Sequence, residues 1–218
     1  MKGLIYKDLQ TIKGYKNSLL ILLLVFVGVS FVDDGYLNML MFMIPFMVIM
    51  MSINTFSYDE YTLWDSYALT MPLNRKDIVR SKYVLAFILI AIGVVLGGAV
   101  PLLISYVNNG VGNLENMLSS LGGTMFGIAL VVALTIPFIY KFGADKARIY
   151  MMISVALLAL GVVGIVYLLN NTFDVGVMMT TLYNVINSYG IIIAIAALIG
   201  AFALSYKISC NIYEKKEL

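Results

Sequence analysis

The chain has 218 residues, of which 61% are hydrophobic and only 12% charged, with a formal net charge of +2. So little polar surface cannot cover a water-soluble globule, and the near-neutral balance gives no reason to expect a nucleic-acid partner. What remains is an all-α integral membrane protein, expected as one domain over residues 1–218.

All 14 lysines and arginines fall in four clusters, at residues 2–16, 75–82, 141–148 and 207–216. The turns that must face the other side carry only Asp33, Asp34, Glu115 and Asp174, with no basic residue. Basic residues near helix ends are retained on the cytoplasmic side. Six spanning helices with both termini on the cytoplasmic side satisfy that segregation.

Residues 1–16 are expected as an interfacial helix. Met1, Ile5, Leu9 and Ile12 lie within about 80° of arc at 100° per residue. Lys7 and Lys13 point elsewhere, Leu4 lies outside the stripe, and Asp8 sits near its edge. A plain basic anchor that sets topology fits the same residues. The first span, 17–32, is short, because its apolar part from Ser18 to Val32 reaches only about 22 Å at 1.5 Å per residue. Snorkelling of Lys13 and Lys16 would extend it toward the ~30 Å of a bilayer core.

The second span, 36–57, is rich in methionine. Flexible thioethers suit a surface that repacks around varied apolar ligands, which makes Met39, Met43, Met47 and Met50 candidates for lining a path. Core filling or lipid contact is the plainer use of the same residues. The third span, 83–107, carries Gly93 and Gly97, and the fourth, 117–140, carries Gly123 and Gly127. This small-x-x-x-small spacing predicts close helix packing. Pro45, Pro101 and Pro137 are expected to kink their helices. Residues 141–148 form either a turn or a contact for a partner.

The fifth and sixth spans are expected over 149–169 and 188–206. Residues 170–188 between them read equally well as an external loop or a re-entrant helix. Tyrosines near the helix ends, among them Tyr58, Tyr83, Tyr106 and Tyr140, match an interfacial aromatic belt. The lone Cys210 reads as an ordinary thiol in the C-terminal tail.

With these boundaries the spans hold no ionisable residue, and the chain has no histidine at all. An ion-driven carrier needs an intramembrane group that binds its coupling ion, and an intramembrane protease needs a metal, an aspartate pair or an activated serine. There is also no phosphate loop of the G-x-x-x-x-G-K-[ST] kind. Active transport by such a chain requires a separate ATPase subunit to hold ATP and Mg, with no cofactor on the chain itself.

A grip for that subunit is sought in the longest internal basic segment, residues 59–82. Residues 60–71 are expected to form a short helix ended by Pro72, placing Leu63, Tyr67 and the edge of Trp64 on one face. Trp64 is the single tryptophan of the chain. Asn74 and Asp77 then supply capping chemistry for a new helix. The segment reads as a docking helix with aromatic anchors or as a loop resting on the membrane interface.

Residues 71–83, M-P-L-N-R-K-D-I-V-R-S-K-Y, resemble the LP-x-S-R-K-E-I-V-x-x-K-Y stretch that recurs in bacterial ABC-2 type permeases. The departures are Met71 for Leu, Asn74 for Ser and Asp77 for Glu. The opening M-K-G-L-I-Y-K-D-L is similar to the start of these permeases. Size and Met/Tyr-rich composition are most similar to the small permeases of phenol-soluble-modulin exporters.

The resemblance implies a peptide-exporting permease, paired with a second copy, whose coupling residues are Asp59, Glu60, Leu63, Trp64, Asp65, Tyr67 and Leu69. It also implies a path lined by spans two and five. Rival expectations are a non-transporting immunity or sensor protein, or an exporter of lipids, drugs or ions.

Overall fold

Long apolar runs in a chain that must satisfy its own backbone hydrogen bonds form helices, and helices are the elements of the computed structural model. It describes residues 2–30, 35–72, 74–109, 114–147 and 175–216, with isolated residues between 149 and 167. In chain order these are α1 Lys2–Gly14, α2 Lys16–Ser30, α3 Gly35–Tyr61, α4 Trp64–Ala68, α5 Arg75–Asn109, α6 Leu114–Phe142 and α7 Val175–Glu214.

Four stretches are long and apolar enough to cross a membrane: Met39–Tyr61, Arg75–Val107, Met117–Phe142 and Ile192–Glu214. A fifth results if α1 and α2, bent by 52°, are taken together. The span expected over 149–169 lies mostly outside the described residues. Residues 175–188, open between a loop and a re-entrant helix, are helical and continue into the last span without a break.

The helices outrun the charge-free stretches. Asp59 and Glu60 lie inside α3, and Lys82 lies inside α5. These charges lie toward helix ends just past the spans expected over residues 36–57 and 83–107, which themselves hold no Asp, Glu, Lys or Arg.

α3 packs against α5 more extensively than any other described pair. Pro45 of α3 seats on Gly93 and Gly97 of α5. A Cβ on Gly93 would come 3.0 Å from Pro45 Cα, and one on Gly97 would come 2.6 Å from Pro45 Cγ. Pro45 has no N–H to donate to the Met41 carbonyl. That carbonyl lies 3.4 Å from a Cβ built on Gly97, so the bare glycine backbone packs beside it.

The second glycine pair behaves differently. A Cβ on Gly123 or Gly127 would meet nothing within 4 Å among the described residues. Their spacing leaves an opening rather than a close contact.

Two tyrosines expected at the membrane interface are core residues: Tyr83 and Tyr140 are 4% and 6% exposed. The Tyr83 hydroxyl lies 2.6 Å from Ser205 Oγ and 2.8 Å from Ser209 Oγ, joining α5 to α7. Ser205 Oγ in turn donates to the Ala133 carbonyl of α6. A buried phenol needs such partners, and here one chain of hydroxyls ties three helices. Cys210 is buried on α7 rather than free in a tail, because the helix continues to Glu214.

The two glycine environments predict opposite outcomes for the same change. Gly97→Ala should lower stability by about 1–3 kcal/mol through overpacking against Pro45. Gly122→Ala, where a Cβ meets nothing within 4 Å, should be neutral or stabilise by up to ~1 kcal/mol through helix propensity. Thermal melts of the detergent-solubilised variants check both.

Candidate functional site

The described segments that carry the basic clusters, α1, the start of α5, residues 141–147 and the end of α7, meet the end of α3 and α4 at one end of the bundle. At its centre is a closed ring of four charges. Lys82 lies 3.0 Å from Asp8 Oδ1 and 2.6 Å from Asp59 Oδ2. Lys7 pairs with the other Asp59 oxygen and lies 3.1 Å from Asp8 Oδ1. Asp8, Asp59 and Lys82 are only 1%, 6% and 4% exposed.

Two cations and two anions cancel, which is the condition for keeping such groups out of water. Lys82 also reaches Thr55 Oγ1 at 3.4 Å, giving each ammonium proton an oxygen. Aromatic faces complete the site. The Lys82 amine sits 4.9 Å from the Phe56 ring centre, and the Lys7 amine sits 4.3 Å from that of Trp64.

The ring joins α1 to α3 and α5, and it revises the reading of α1. The expected apolar stripe was Ile5, Leu9 and Ile12. The face turned to the bundle includes Leu4 and Asp8, both buried, with Leu9 and Ile12 packed against Met51, Leu85 and Leu89. Ile5 is partly exposed. α1 is thus held by a buried ion ring as well as by apolar contact.

The segment after α3, expected as one helix over 60–71, is not one helix. α3 continues to Tyr61, the chain reverses at Leu63, and α4 covers only Trp64–Ala68. Leu63 has φ 52°, the left-handed region, and is the sole non-glycine residue there among the described residues. Thr62 contributes to the stop, its hydroxyl donating to the Tyr58 carbonyl at 2.9 Å. A β-carbon in that region costs about 1–2 kcal/mol, so surrounding contacts must hold the turn.

The expected anchors differ in burial, although the Trp64 and Tyr67 rings still pack with centroids 5.4 Å apart. Trp64 is partly buried under Lys7 and packs on the main core, as does Leu69. Leu63 and Tyr67 project outward, 72% and 57% exposed, beside Tyr61 at 76%.

Glu60 faces the other way along the platform. Its Oε2 accepts the Ala144 N–H at 2.7 Å, at the start of the helical turn after α6. Gly143 makes that approach possible. It has φ 84°, and a Cβ there would stand 2.6 Å from Glu60 Oε1. Tyr61 Oη donates to Asp145 at 3.3 Å.

Residues 141–147 are therefore bound to the end of α3. The end of α7 joins as well, through Arg75 Nη1, which lies 2.7–3.0 Å from the carbonyls of Tyr213, Glu214 and Lys216. A guanidinium there satisfies helix-end carbonyls that have no partner in the helix. Asp65 of α4 stands beside the Tyr213 hydroxyl. Burial pushes its carboxyl above the usual carboxylate range, with Lys216 pulling the other way.

An apolar groove of about 630 Å³ extends from this platform between α3 and α6, with Met152 and Ala156 also on its wall. α3 contributes Phe42, Phe46, Ile49, Met50, Ile53 and Phe56. Of the methionines expected to line a path, Met50 borders this groove, whereas Met39, Met43 and Met47 are absent from its lining. Gly123 and Gly127 form part of the α6 wall, so their missing side chains widen it. The Ser52 hydroxyl, on a residue 3% exposed, lies in this lining without a hydrogen-bond partner among the described residues.

Sequence reasoning places Lys7 and Asp8 on an interfacial helix and Asp59 and Lys82 at the two ends of a separate cytoplasmic segment, and no pattern in the sequence joins the two. Asp8 at the edge of an apolar stripe was the one available signal.

A family model described as ABC-2 family transporter protein matches residues 3–214 of the chain. No curated protein matches it.

Removing one member of the ring leaves a buried charge uncompensated. Lys82→Met should cost about 3–5 kcal/mol, and the pair Asp8→Asn with Lys82→Met should recover part of that loss. Thermal unfolding of the two variants decides it. For Asp65, a proton held more tightly folded than unfolded destabilises the fold at neutral pH. That penalty fades as pH falls through the raised folded value. Asp65→Asn should therefore raise the melting temperature most at neutral pH, with the difference from wild type shrinking on acidification.

Proposed function

Because the chain belongs to the ABC-2 family of transporter proteins, we propose that it is the permease subunit of an ATP-driven peptide exporter. In this reading two copies pair in the bacterial cytoplasmic membrane. Separate ATPase subunits holding ATP and Mg dock beneath them. The chain itself is a membrane transport component.

The observation that carries the proposal is the gathering of the basic segments at one end of the bundle, around a buried ion ring. By the positive-inside rule that end is cytosolic, with both termini inside. Six spans then follow: α2, α3, α5, α6, residues 149–169 and α7. Leu63 and Tyr67 stand exposed on the same end, beside Tyr61. Exposed apolar and aromatic side chains on rigid supports suit a docking surface.

Closure of the ATPases would move α4 and, through the ring, α1 and α5 with it. The paired bundles would switch between two packings, since packed interfaces are bistable rather than continuously deformable.

The substrate class follows from the groove. Its wall is almost wholly apolar, with phenylalanines at Phe42, Phe46 and Phe56 and the flexible Met50. Such a wall binds an apolar helix face or side chain and offers nothing to a charged solute. An amphipathic peptide fits, like the cargo of the small modulin exporters that the composition resembles. Span two would line the path through the Phe42–Phe46–Ile49–Ile53 side rather than through Met39, Met43 and Met47.

Inverted vesicles holding the permease and its ATPase should take up a fluorescent amphipathic peptide only with hydrolysable ATP. Filling the groove with Ile49→Trp should cut uptake about tenfold or more, with ATPase binding retained. Peptide binding without ATP-dependent uptake supports a sequestering protein instead. The double change Leu63→Ser and Tyr67→Ser should weaken co-purification of the ATPase by about tenfold or more. Unchanged co-purification would move docking to another surface.

A further inference from the structure

A second cavity, of about 110 Å³, opens at the charged end between α3, α4 and residue 143. Its polar lining comprises Asp59, Glu60, Asp65, Ser66, Lys82 and Lys216, together with Tyr140. Lys82 is already committed to Asp8 and Asp59 in the ion ring. That leaves Glu60 and Asp65 facing one cation, Lys216.

Neither remaining carboxylate has a cation at hydrogen-bond distance among the described residues, although the Tyr213 hydroxyl stands beside Asp65. Lys216 comes no closer to Asp65 than 4.0 Å, beyond hydrogen-bond length, and its own side chain is 41% exposed. Glu60 uses Oε2 for the Ala144 N–H and has no salt bridge among the described residues.

A third group in the cavity wall lacks a partner. Tyr140 is 6% exposed, lines this cavity, and its hydroxyl has no hydrogen-bond partner among the described residues. A buried phenol left without a partner is costly. Two underused carboxylates and an unpartnered hydroxyl together favour a donor with several N–H groups and positive charge.

The size narrows the occupant. The volume admits a guanidinium or ammonium group with its last methylenes, and it is too small for a nucleotide or a folded peptide. A divalent metal needs several oxygens at 2.0–2.6 Å without competing cations. Here two lysine amines line the walls, and the described residues hold no group of three metal-ligating side chains. The mouth is bordered by Leu63, the exposed side chain at the left-handed turn.

We propose that this cavity receives one basic side chain, a lysine or arginine, from the cytosolic ATPase subunit. Its charge meets Glu60 and Asp65, its N–H groups reach the Tyr140 hydroxyl, and the surrounding partner surface covers Leu63. The inference rests on the reading that an ATPase docks on this end, and it adds the chemistry of the contact. The left-handed turn at Leu63 then has a use, because it places the cavity and the exposed leucine side by side.

The test is the affinity of the detergent-solubilised permease for its purified ATPase subunit, measured over a series of salt concentrations. Asp65→Asn alone, and Asp65→Asn with Glu60→Gln, should weaken binding by about tenfold or more and flatten its salt dependence. Glu214→Gln, an exposed acid on the same end that is not part of the cavity lining, should leave affinity unchanged. Asp65→Asn removes only a buried charge, so it keeps the experiment informative if the double variant misfolds. Wild-type affinity and salt dependence in Asp65→Asn would overturn the inference while leaving docking intact. A wild-type permease that binds no ATPase would overturn the docking reading itself.

Discussion

Four charges taken out of water in a closed ring constrain everything around them. Desolvating each ion costs several kcal/mol, and only near-complete pairing offsets that cost. The Lys7–Asp8–Lys82–Asp59 ring meets the condition with contacts of about 3 Å or less and with aromatic rings over both amines. Any motion that separates α1 from α3 or α5 would expose an unpaired charge to an apolar surrounding. The ring therefore favours movement of these three elements together. α4 is included, because Trp64 lies under Lys7 and Ala68 is buried in the main core.

Around that fixed corner the polar contacts form a continuous platform. Glu60 and Tyr61 hold residues 144 and 145, Arg75 caps the end of α7, and the Tyr83 hydroxyl binds α7 deeper in the bundle. Farther from the charged end the interior becomes apolar, and the groove between α3 and α6 begins. Force entering at the platform thus reaches a groove wall without an intervening flexible segment. α3 carries Asp59 at one end and Phe42, Phe46 and Ile49 along its length. One continuous helix links the ion ring to the proposed cargo surface.

Much of the architecture was legible in the sequence, for a clear physical reason. Segregation of the basic clusters places particular helix ends together, and the structure brings the described ones to one end of the bundle. The matched family agrees with the motif at residues 71–83. What escaped was pairing. Composition marks Asp59 and Lys82 as charged but cannot show that helices run past the apolar stretches and carry both inward. Asp8 broke the apolar stripe of α1, and periodicity alone treats such a residue as a flaw rather than an anchor. The reversal at Leu63 had no signal, since leucine rarely takes a left-handed conformation. The glycine pairs read alike in sequence, yet only Gly93 and Gly97 meet a proline opposite them.

The central claim is that the ion ring makes α1 and the coupling segment one moving body, and inter-label distances test it most directly. Spin labels at Tyr6→Cys and Thr70→Cys, exposed positions on α1 and directly after α4 and outside the proposed docking residues, would report that distance by pulsed electron resonance in the assembled transporter. The account predicts the same α1–α4 distance without nucleotide and with ATP trapped, while labels at Phe42→Cys and Leu134→Cys across α3 and α6 change theirs. An α1–α4 distance that shifts between the two states, with the α3–α6 distance constant, would contradict it.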